Sequence, residues 1–432
     1  MQGPANLSAG RTWPPILRQA RWRYATFFSA YLYQGLIAGF SLTALANAHA
    51  ARGADAGEIG LHAALAGLPW TFQPLLWGPL VDRAGQGRRR IWGVMAIATG
   101  HVCLAGLYFA PGFDAFAFVG IVFFLHSLCA SLLDTVSDRL IMDHVPPGEL
   151  GRMSACTRIG FVTGTSLGGV LFAYTLTAWD FRGSVLLLCS LSFAAALLPI
   201  LVREKSGDPF LVLQGSAKRL TGPTAPSFAR FLKRLSIGLR RPAALRLLFL
   251  CFGLDFGFAL FEVGFTVDLI RRQGWDPLEL SRVQAGLTLV SGTAGALAIG
   301  FWSDRAGALP ALRLLLVAVA MTFTLIIAFI AMDFPLAGGV AILGLTTVLP
   351  SLVIVALVPA LMKASGGRMG AATEFETYMA AMNLGSVAGA TLSGPLSAIS
   401  SPIAALVVIV LVCLAGARLA SRPASILRQR PA

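Results

Sequence analysis

A chain of 432 residues has the length of two or three soluble domains, yet 56% of it is hydrophobic and only 12% is charged, about half the roughly 25% usual for soluble proteins. That composition excludes an ordinary water-soluble enzyme. The net charge of +14 raises nucleic acid or an acidic partner as possibilities, and the distribution of that charge along the chain argues against both.

Twelve apolar runs, each near the ~20 residues that cross a bilayer, follow one another at 24–46, 57–81, 91–110, 115–137, 155–177, 183–202, 244–270, 280–302, 311–332, 334–362, 371–395 and 400–420. The first follows Arg18-Gln-Ala-Arg21-Trp-Arg23 and ends in Ala46-Asn-Ala48-His-Ala50, like a secretory leader. It is longer than the ~7–15 residues of a leader's apolar core, and eleven more runs follow, so an uncleaved first span is expected. The second run closes on Gly78-Pro-Leu-Val-Asp82-Arg83, followed by Arg88, Arg89 and Arg90. The fourth carries Asp134 and Asp138, one helical turn apart. In the fifth, Gly160, Gly164 and Gly168 share one face, where a partner backbone can approach closely.

Between the sixth and seventh runs, Arg203–Arg241 is polar, basic and proline-bearing. Within it, Phe228–Leu239 alternates apolar and basic residues at helical spacing. This fits an interfacial helix on anionic headgroups and a solvated loop equally well. The seventh run holds Asp255 and Glu262, nearly two turns apart on one face. The eighth closes on Gly300-Phe-Trp-Ser-Asp304-Arg305. The tenth contains Pro350 and Pro359, which predict a kink. The eleventh opens with Thr373-Glu-Phe-Glu376 and contains Gly385 and Gly389.

The order contains a repeat. Asp82–Gly85 and Asp304–Gly307 are both Asp-Arg-Ala-Gly, 222 residues apart, and Gly164 and Gly168 recur as Gly385 and Gly389 at an offset of 221. Two such copies, each at a membrane exit, imply a duplicated domain. The expected organisation is a segment 1–23, a six-helix bundle 24–202, a basic linker 203–243, a second six-helix bundle 244–420 and a tail 421–432. With the N-terminus inside, 29 of the 34 Lys and Arg fall on the cytoplasmic side, leaving Arg52, Arg182, Arg271, Arg272 and Arg282 outside. This is the positive-inside pattern. Charge here reports topology, with both termini in the cytoplasm and no nucleic-acid partner.

Function then rests on ionisable groups within the membrane, which are expensive to keep there. An unpaired carboxylate in hydrocarbon favours its protonated form and can exchange protons. Glu262 is the deepest acid and the first candidate for proton coupling, with Asp255 and Asp134 beside it. Asp138 and Asp143 read as interfacial partners of Arg139, Arg152 and Arg158. Thr373 and Glu376 fit a capping box, with Glu374 near the same positive helix end. Asp82, Arg83, Asp304 and Arg305, with Asp138, Arg158, Glu374 and Glu376, are therefore gate candidates, the two repeat aspartates pairing with basic residues or with a helix start in the opposite half. Tyr31, Gln34, Trp70, Gln73, Phe258, Tyr378 and Asn383 offer aromatic and polar surface for a solute. The six cysteines and five histidines show no metal or catalytic spacing; no metal, cofactor or enzymatic activity is expected, and the cysteines read as packing residues.

These residues resemble a known family. The repeated Gly-x-x-x-Asp-Arg-x-Gly loops and the six-plus-six layout are similar to the major facilitator superfamily along essentially the whole chain. The resemblance implies an all-α polytopic membrane protein with twelve transmembrane helices in two pseudo-symmetric halves. One stretch is more specific. Asp134-Thr-Val-Ser-Asp138-Arg-Leu-Ile-Met-Asp143-His-Val-Pro146-Pro147-Gly-Glu149-Leu-Gly151 resembles the D-x-x-x-D-x-x-x-x-D-x-x-P-x-E-x-G run of the AmpG-like permeases. Leu68–Arg83 and Ala372–Phe375 also fit that family. The resemblance implies proton-coupled import across a bacterial inner membrane, of muropeptides in one branch and siderophores in another, by a chain functional as a monomer.

Ungapped matching puts Val162, Asp255 and Ser386 where muropeptide permeases carry basic residues, so a carboxylate-rich ligand lacks its partners and the siderophore-like branch is favoured. The opposing reading is proton-antiport efflux. Gly160-Phe-Val-Thr-Gly164-Thr-Ser-Leu-Gly168-Gly169 resembles the antiporter motif of facilitator-type exporters, with Thr165 in place of its proline.

Overall fold

The computed structural model describes residues 17–45, 48, 56–84, 89–110, 115–204, 228–271, 282–283, 286–332, 338–365, 370–399 and 402–421. Arg52, Arg88 and Arg272, residues 1–16 and 422–432 of the expected end segments and residues 205–227 of the linker lie outside them.

The regular elements among these residues are helices. Helix α1 (Ala20–Ala38) runs on into a π-helical stretch, Gly39–Leu45. Then come α2 (Ala56–Leu76), the short α3 (Gly78–Arg83), α4 (Arg89–Gly106), α5 (Phe116–His144), α6 (Leu150–Ala178) and α7 (Phe181–Leu201). Asp180 starts α7 by accepting the Gly183 N–H at 2.6 Å, an N-cap that satisfies one of the free amides of the first turn. Helix α8 (Phe228–Leu239) occupies the linker and touches α9 (Pro242–Arg271), so this segment is a docked helix and the solvated-loop alternative is set aside. A second π-helical turn, Thr288–Gly292, leads into α10 (Thr293–Ala306), followed by α11 (Ala308–Ala331), α12 (Gly338–Ser365), α13 (Ala371–Ile399) and α14 (Pro402–Ala420). Pro350 and Pro359 lie inside α12. Gly307, the last residue of the second repeat, turns the chain between α10 and α11 at φ +90°, a conformation that costs glycine nothing.

Eight of the described helices are long and apolar enough to cross a membrane by length and composition: α4, α5, α6, α7, α9, α11, α12 and α14. The remaining expected spans overlap α1 with its π-helical continuation, α2 with Pro69 and Pro74, α10 with the π-helical turn before it, and α13. Outward-facing positions such as Phe109, Val170 and Phe249 are more than two-thirds exposed. An apolar surface of this kind suits lipid, and the chain is a multi-pass membrane protein.

Helix pairing explains the glycine spacings. Helix α1 lies against α6 and α9 against α13. A Cβ added at Gly35, Gly160, Gly164 or Gly168 would come 2.2–2.6 Å from a backbone oxygen of the partner helix. At Gly385 and Gly389 the corresponding distances to the Phe252 and Phe256 oxygens are 2.2 and 2.3 Å. Such contact requires glycine, because any side chain would part the backbones. Across the centre, α2 and α3 meet α13, while α6 meets α10 and α12.

Candidate functional site

The two repeat aspartates cap helices across the centre. Asp82, at the end of α3, accepts the backbone N–H groups of Ala372 (3.0 Å) and Thr373 (2.8 Å) and the Thr373 hydroxyl (2.7 Å) at the start of α13. Behind it, Arg139 lies 3.6 Å from Asp82 and 3.2 Å from Asp143, which also pairs with Arg89. Asp304, at the end of α10, accepts the N–H groups of Gly151 (2.7 Å) and Arg152 (3.1 Å) at the start of α6, and the Arg152 Nε at 2.7 Å. Each carboxylate thus neutralises the partly positive end of a helix that leaves those amides unbonded. Gly78, Gly151 and Gly300 permit the approach: a Cβ at Gly151 would sit 2.5 Å from the Gly300 oxygen, and one at Gly78 2.7 Å from the Thr373 hydroxyl. This end of the bundle is closed. Arg83 and Arg305 point outward and are exposed.

A central cavity of about 310 Å³ is lined by residues of α1, α2, α5, α6, α9, α12 and α13. On one wall, Tyr31 donates its hydroxyl to Asp138 at 2.9 Å, and Gln73 Nε2 donates to Asp134 (3.2 Å) and Glu376 (2.6 Å). One oxygen from each of Asp134, Asp138 and Glu376 lies within 4.8 Å of the others. None of the three makes an ion pair among the described residues, and the second Glu376 oxygen is buried without a partner. Among the described residues this is the one place where three such ligand atoms converge, so the cluster can hold protons or share a cation. Opposite, Arg158 donates Nε to Ser351 at 2.7 Å and lies over the Phe161 ring, 5.9 Å from its centroid, with Asp255 in the same cavity.

Several expectations need correction. Asp138 faces Tyr31 and the cavity instead of an arginine, because it lies one turn from Asp134 on the inward face of α5; Asp143 and Arg152 take the gate pairings. Thr373 turns its hydroxyl to Asp82, so no capping box forms, and Glu376 joins the aspartates. Glu374 instead accepts the Tyr378 hydroxyl at 3.0 Å, which buries Tyr378 away from the cavity. Arg158 is a cavity residue. Phe258 is buried against Phe323 behind the wall. Glu262 is half-buried in α9, does not line the cavity, and has no hydrogen bond or ion pair among the described residues. Of the three positions compared with muropeptide permeases, only Asp255 lines the cavity; Val162 is buried and Ser386 is exposed. Tyr31, Gln34, Trp70, Gln73 and Asn383 do line it.

The sequence reading missed the methionines. Met153, Met362, Met379 and Met382 form much of the wall. Methionine in an apolar segment gives no periodic signal; only the pairing of α6, α12 and α13 around one space brings the four together.

Residues 24–375 match the sequence pattern of the Major Facilitator Superfamily. Two uncharacterized MFS-type transporters of Mycobacterium tuberculosis are each 25% identical over 281 residues, covering 64% of this chain and 58% of the relative. The chain thus aligns with little more than half of those relatives. Among solved structures, a bacterial homologue of the iron transporter ferroportin in its outward-facing state superposes with a TM-score of 0.62 at 15% identity, covering 93% of this chain and 97% of that one. The human organic anion transporter MFSD10 (TETRAN) gives 0.67 at 16% identity, with 94% and 100% covered. The MFS transporter FucP in its outward conformation gives 0.64 at 14% identity, with 94% and 98% covered. At these identities the likeness concerns the fold. Sequence pattern, duplicated capping loops and helix arrangement agree, and the chain belongs to the Major Facilitator Superfamily.

Proposed function

We propose that the protein is a secondary transporter of a bacterial cytoplasmic membrane that works by alternating access and couples an amphipathic organic solute to protons at Asp134, Asp138 and Glu376. One observation carries the reading: three carboxylates from both halves meet with no cationic partner among the described residues, Asp134 and Asp138 at the cavity wall and Glu376 buried beside them. Ionised together within 4.8 Å, they would repel by about 3–4 kcal/mol per pair at an effective dielectric of roughly 20. Protons relieve that repulsion when nothing else positive is present. Asp134 and Asp138 ride on α5, and Glu376 rides on α13. Rocking of the halves therefore changes the spacing of Glu376 from the two aspartates, and with it the number of protons the cluster keeps.

The basic-residue asymmetry supports cytoplasmic termini and a cytoplasmic linker between two six-helix domains. Enclosure of the cavity by one chain supports a functional monomer. The resemblance to AmpG-like permeases supports import of a siderophore-like solute. A specific observation favours the second reading, exchange of a cation against protons: Asp134, Asp138 and Asp255 outnumber Arg158 at the cavity, with Glu376 buried beside them.

Reconstitution tests both. Proteoliposomes screened with ferric siderophores and organic cations, with and without a pH gradient, should show accumulation that depends on the gradient, and its sign gives the direction. Glu376→Gln should abolish gradient-driven accumulation while keeping solute exchange at equal concentrations; Glu262→Gln should keep both. Undiminished accumulation by Glu376→Gln would remove the cluster from coupling. Alkaline phosphatase fused after Ala432 should be inactive if the C-terminus is cytoplasmic.

A further inference from the structure

We infer that the solute is held by a compact, positively charged organic head group, an ammonium or amidinium, seated on Asp134 and Asp138 with Glu376 buried beside them, and with its apolar body against the methionine wall. This deepens the proton-coupled reading above and rests on it for how the site is emptied.

Hydrogen-bond accounting comes first. Asp138 accepts from Tyr31 and Glu376 from Gln73, while Asp134 is met by Gln73 and lies beside Tyr31 and Gln34. Asp134 and Asp138 line the cavity, and an ammonium, with three donors and no acceptor, can bond their oxygens. The second oxygen of Glu376 is enclosed without a partner, so this carboxylate acts on a cation through its charge from behind Gln73. Gln34, only 4% exposed, lines the cavity beside Asp134 with an amide nitrogen that makes no hydrogen bond of normal geometry. It can donate to a polar atom farther along the solute.

Charge and wall chemistry narrow the class. The charged and titratable groups facing the cluster are Tyr31 from α1, Arg158 from α6, Asp255 from α9, and Asp82 with Arg139 at the gate. Arg158 is already engaged by Ser351 and faces Asp255, so an anionic solute finds little compensation. Met153, Met362, Met379 and Phe161 present soft, polarizable surface that adapts to an apolar body and attracts a cation. Calcium or magnesium would instead seek six or more oxygen ligands, more than the three convergent carboxylates offer. The volume of about 310 Å³ lies at the lower end of drug-sized sites and favours a compact solute.

The exchange with protons then balances simply. The cation enters, the cluster gives up the protons that had neutralised it, and protonation from the other side expels the cation.

Calorimetry on the full chain in lipid nanodiscs, corrected against empty discs, compares 4-phenylbutylammonium with neutral 4-phenylbutanol and anionic 4-phenylbutyrate. The cation should bind about tenfold or more tighter than the alcohol, more tightly at pH 8 than at pH 6, with proton release read from buffers of different ionisation heat. The anion should bind weakest. Asp138→Asn and Glu376→Gln, checked for an unchanged size-exclusion profile, should each weaken the cation about tenfold. The wild-type ligand series stands whether or not those variants fold. Equal binding of cation and alcohol, or preference for the anion, would overturn the assignment, as would Mn²⁺ alone binding at the cluster without displacement by the cation. Selective cation binding without proton release would keep the head-group assignment and defeat the coupling reading. Proton-driven transport of anions alone would do the reverse.

Discussion

The two copies of Asp-Arg-Ala-Gly perform one act in unequal surroundings. Both aspartates cap the first amides of a helix in the opposite half. Asp82 does so with 1% of its side chain exposed, assisted by the Thr373 hydroxyl and backed by the Arg139–Asp143–Arg89 chain. Asp304, 7% exposed itself, relies on the side chain of the helix it caps, Arg152, which is 38% exposed, so its ion pair is the more solvated of the two. A buried, hydrogen-bonded charge loses more when altered than a solvated one. Duplication thus supplied the device twice, and burial assigns the heavier duty to the first copy.

The largest expected effect is steric and should erase the difference between the copies. Gly151→Val sets a side chain against the Gly300 oxygen, and Gly78→Val sets one against Thr373. Overpacking of this kind costs about 1–3 kcal/mol, a roughly tenfold to hundredfold shift towards the open state. Cysteine alkylation from the gate side should rise accordingly in both variants, and transport should fall. Alkylation at the wild-type rate would show that the closed contact does not limit opening.

Next comes Asp82→Asn, which weakens the capping charge and leaves Arg139 with Asp143 alone. A loss of about 2 kcal/mol is expected, with transport strongly impaired and membrane insertion intact. Asp304→Asn should cost about 1 kcal/mol or less. Equal loss in the two variants, measured by the same alkylation assay, would break the proposed inequality. The smallest effect sharpens it: at about 1 M salt the screening length falls to roughly 3 Å, so gate-side alkylation of wild type should rise modestly. Most of that sensitivity should vanish in Asp304→Asn and persist in Asp82→Asn.

The duplicated loops were legible because their role depends on a pattern that the chain itself repeats, and a helix start was among the partners expected of them. Glycine spacing was legible for the same reason. Glu376 was not. Its local capping box is overruled by Asp82, 291 residues from Thr373, and no local rule reports a remote competitor. Glu262 lies off the cavity for a different reason. Depth along a segment is readable from sequence, whereas the direction a side chain takes around the helix depends on its neighbours. Asp134 and Asp138 were read as lying one turn apart but assigned to separate tasks, since only the packing of α5 against α1, α2 and α13 turns them to one cavity. Phe258 and Tyr378 have the chemistry of a solute surface, yet Phe323 and Glu374 claim them first.

The glycine-lined seam between α1 and α6 also bears on how the chain is built. Helix α1 is absent from the helices that qualify as membrane-crossing on their own composition, and it carries Arg23, Tyr31 and Gln34. Its closest partner begins only at Leu150. During synthesis the glycine face of the first helix therefore stays without its partner until more than a hundred further residues have emerged. Helix α13 finds α9 already made. Biogenesis is thus front-loaded with risk: nascent chains arrested before residue 150 should be degraded or shielded by an insertion factor, and chains arrested beyond residue 178 should resist extraction from the bilayer.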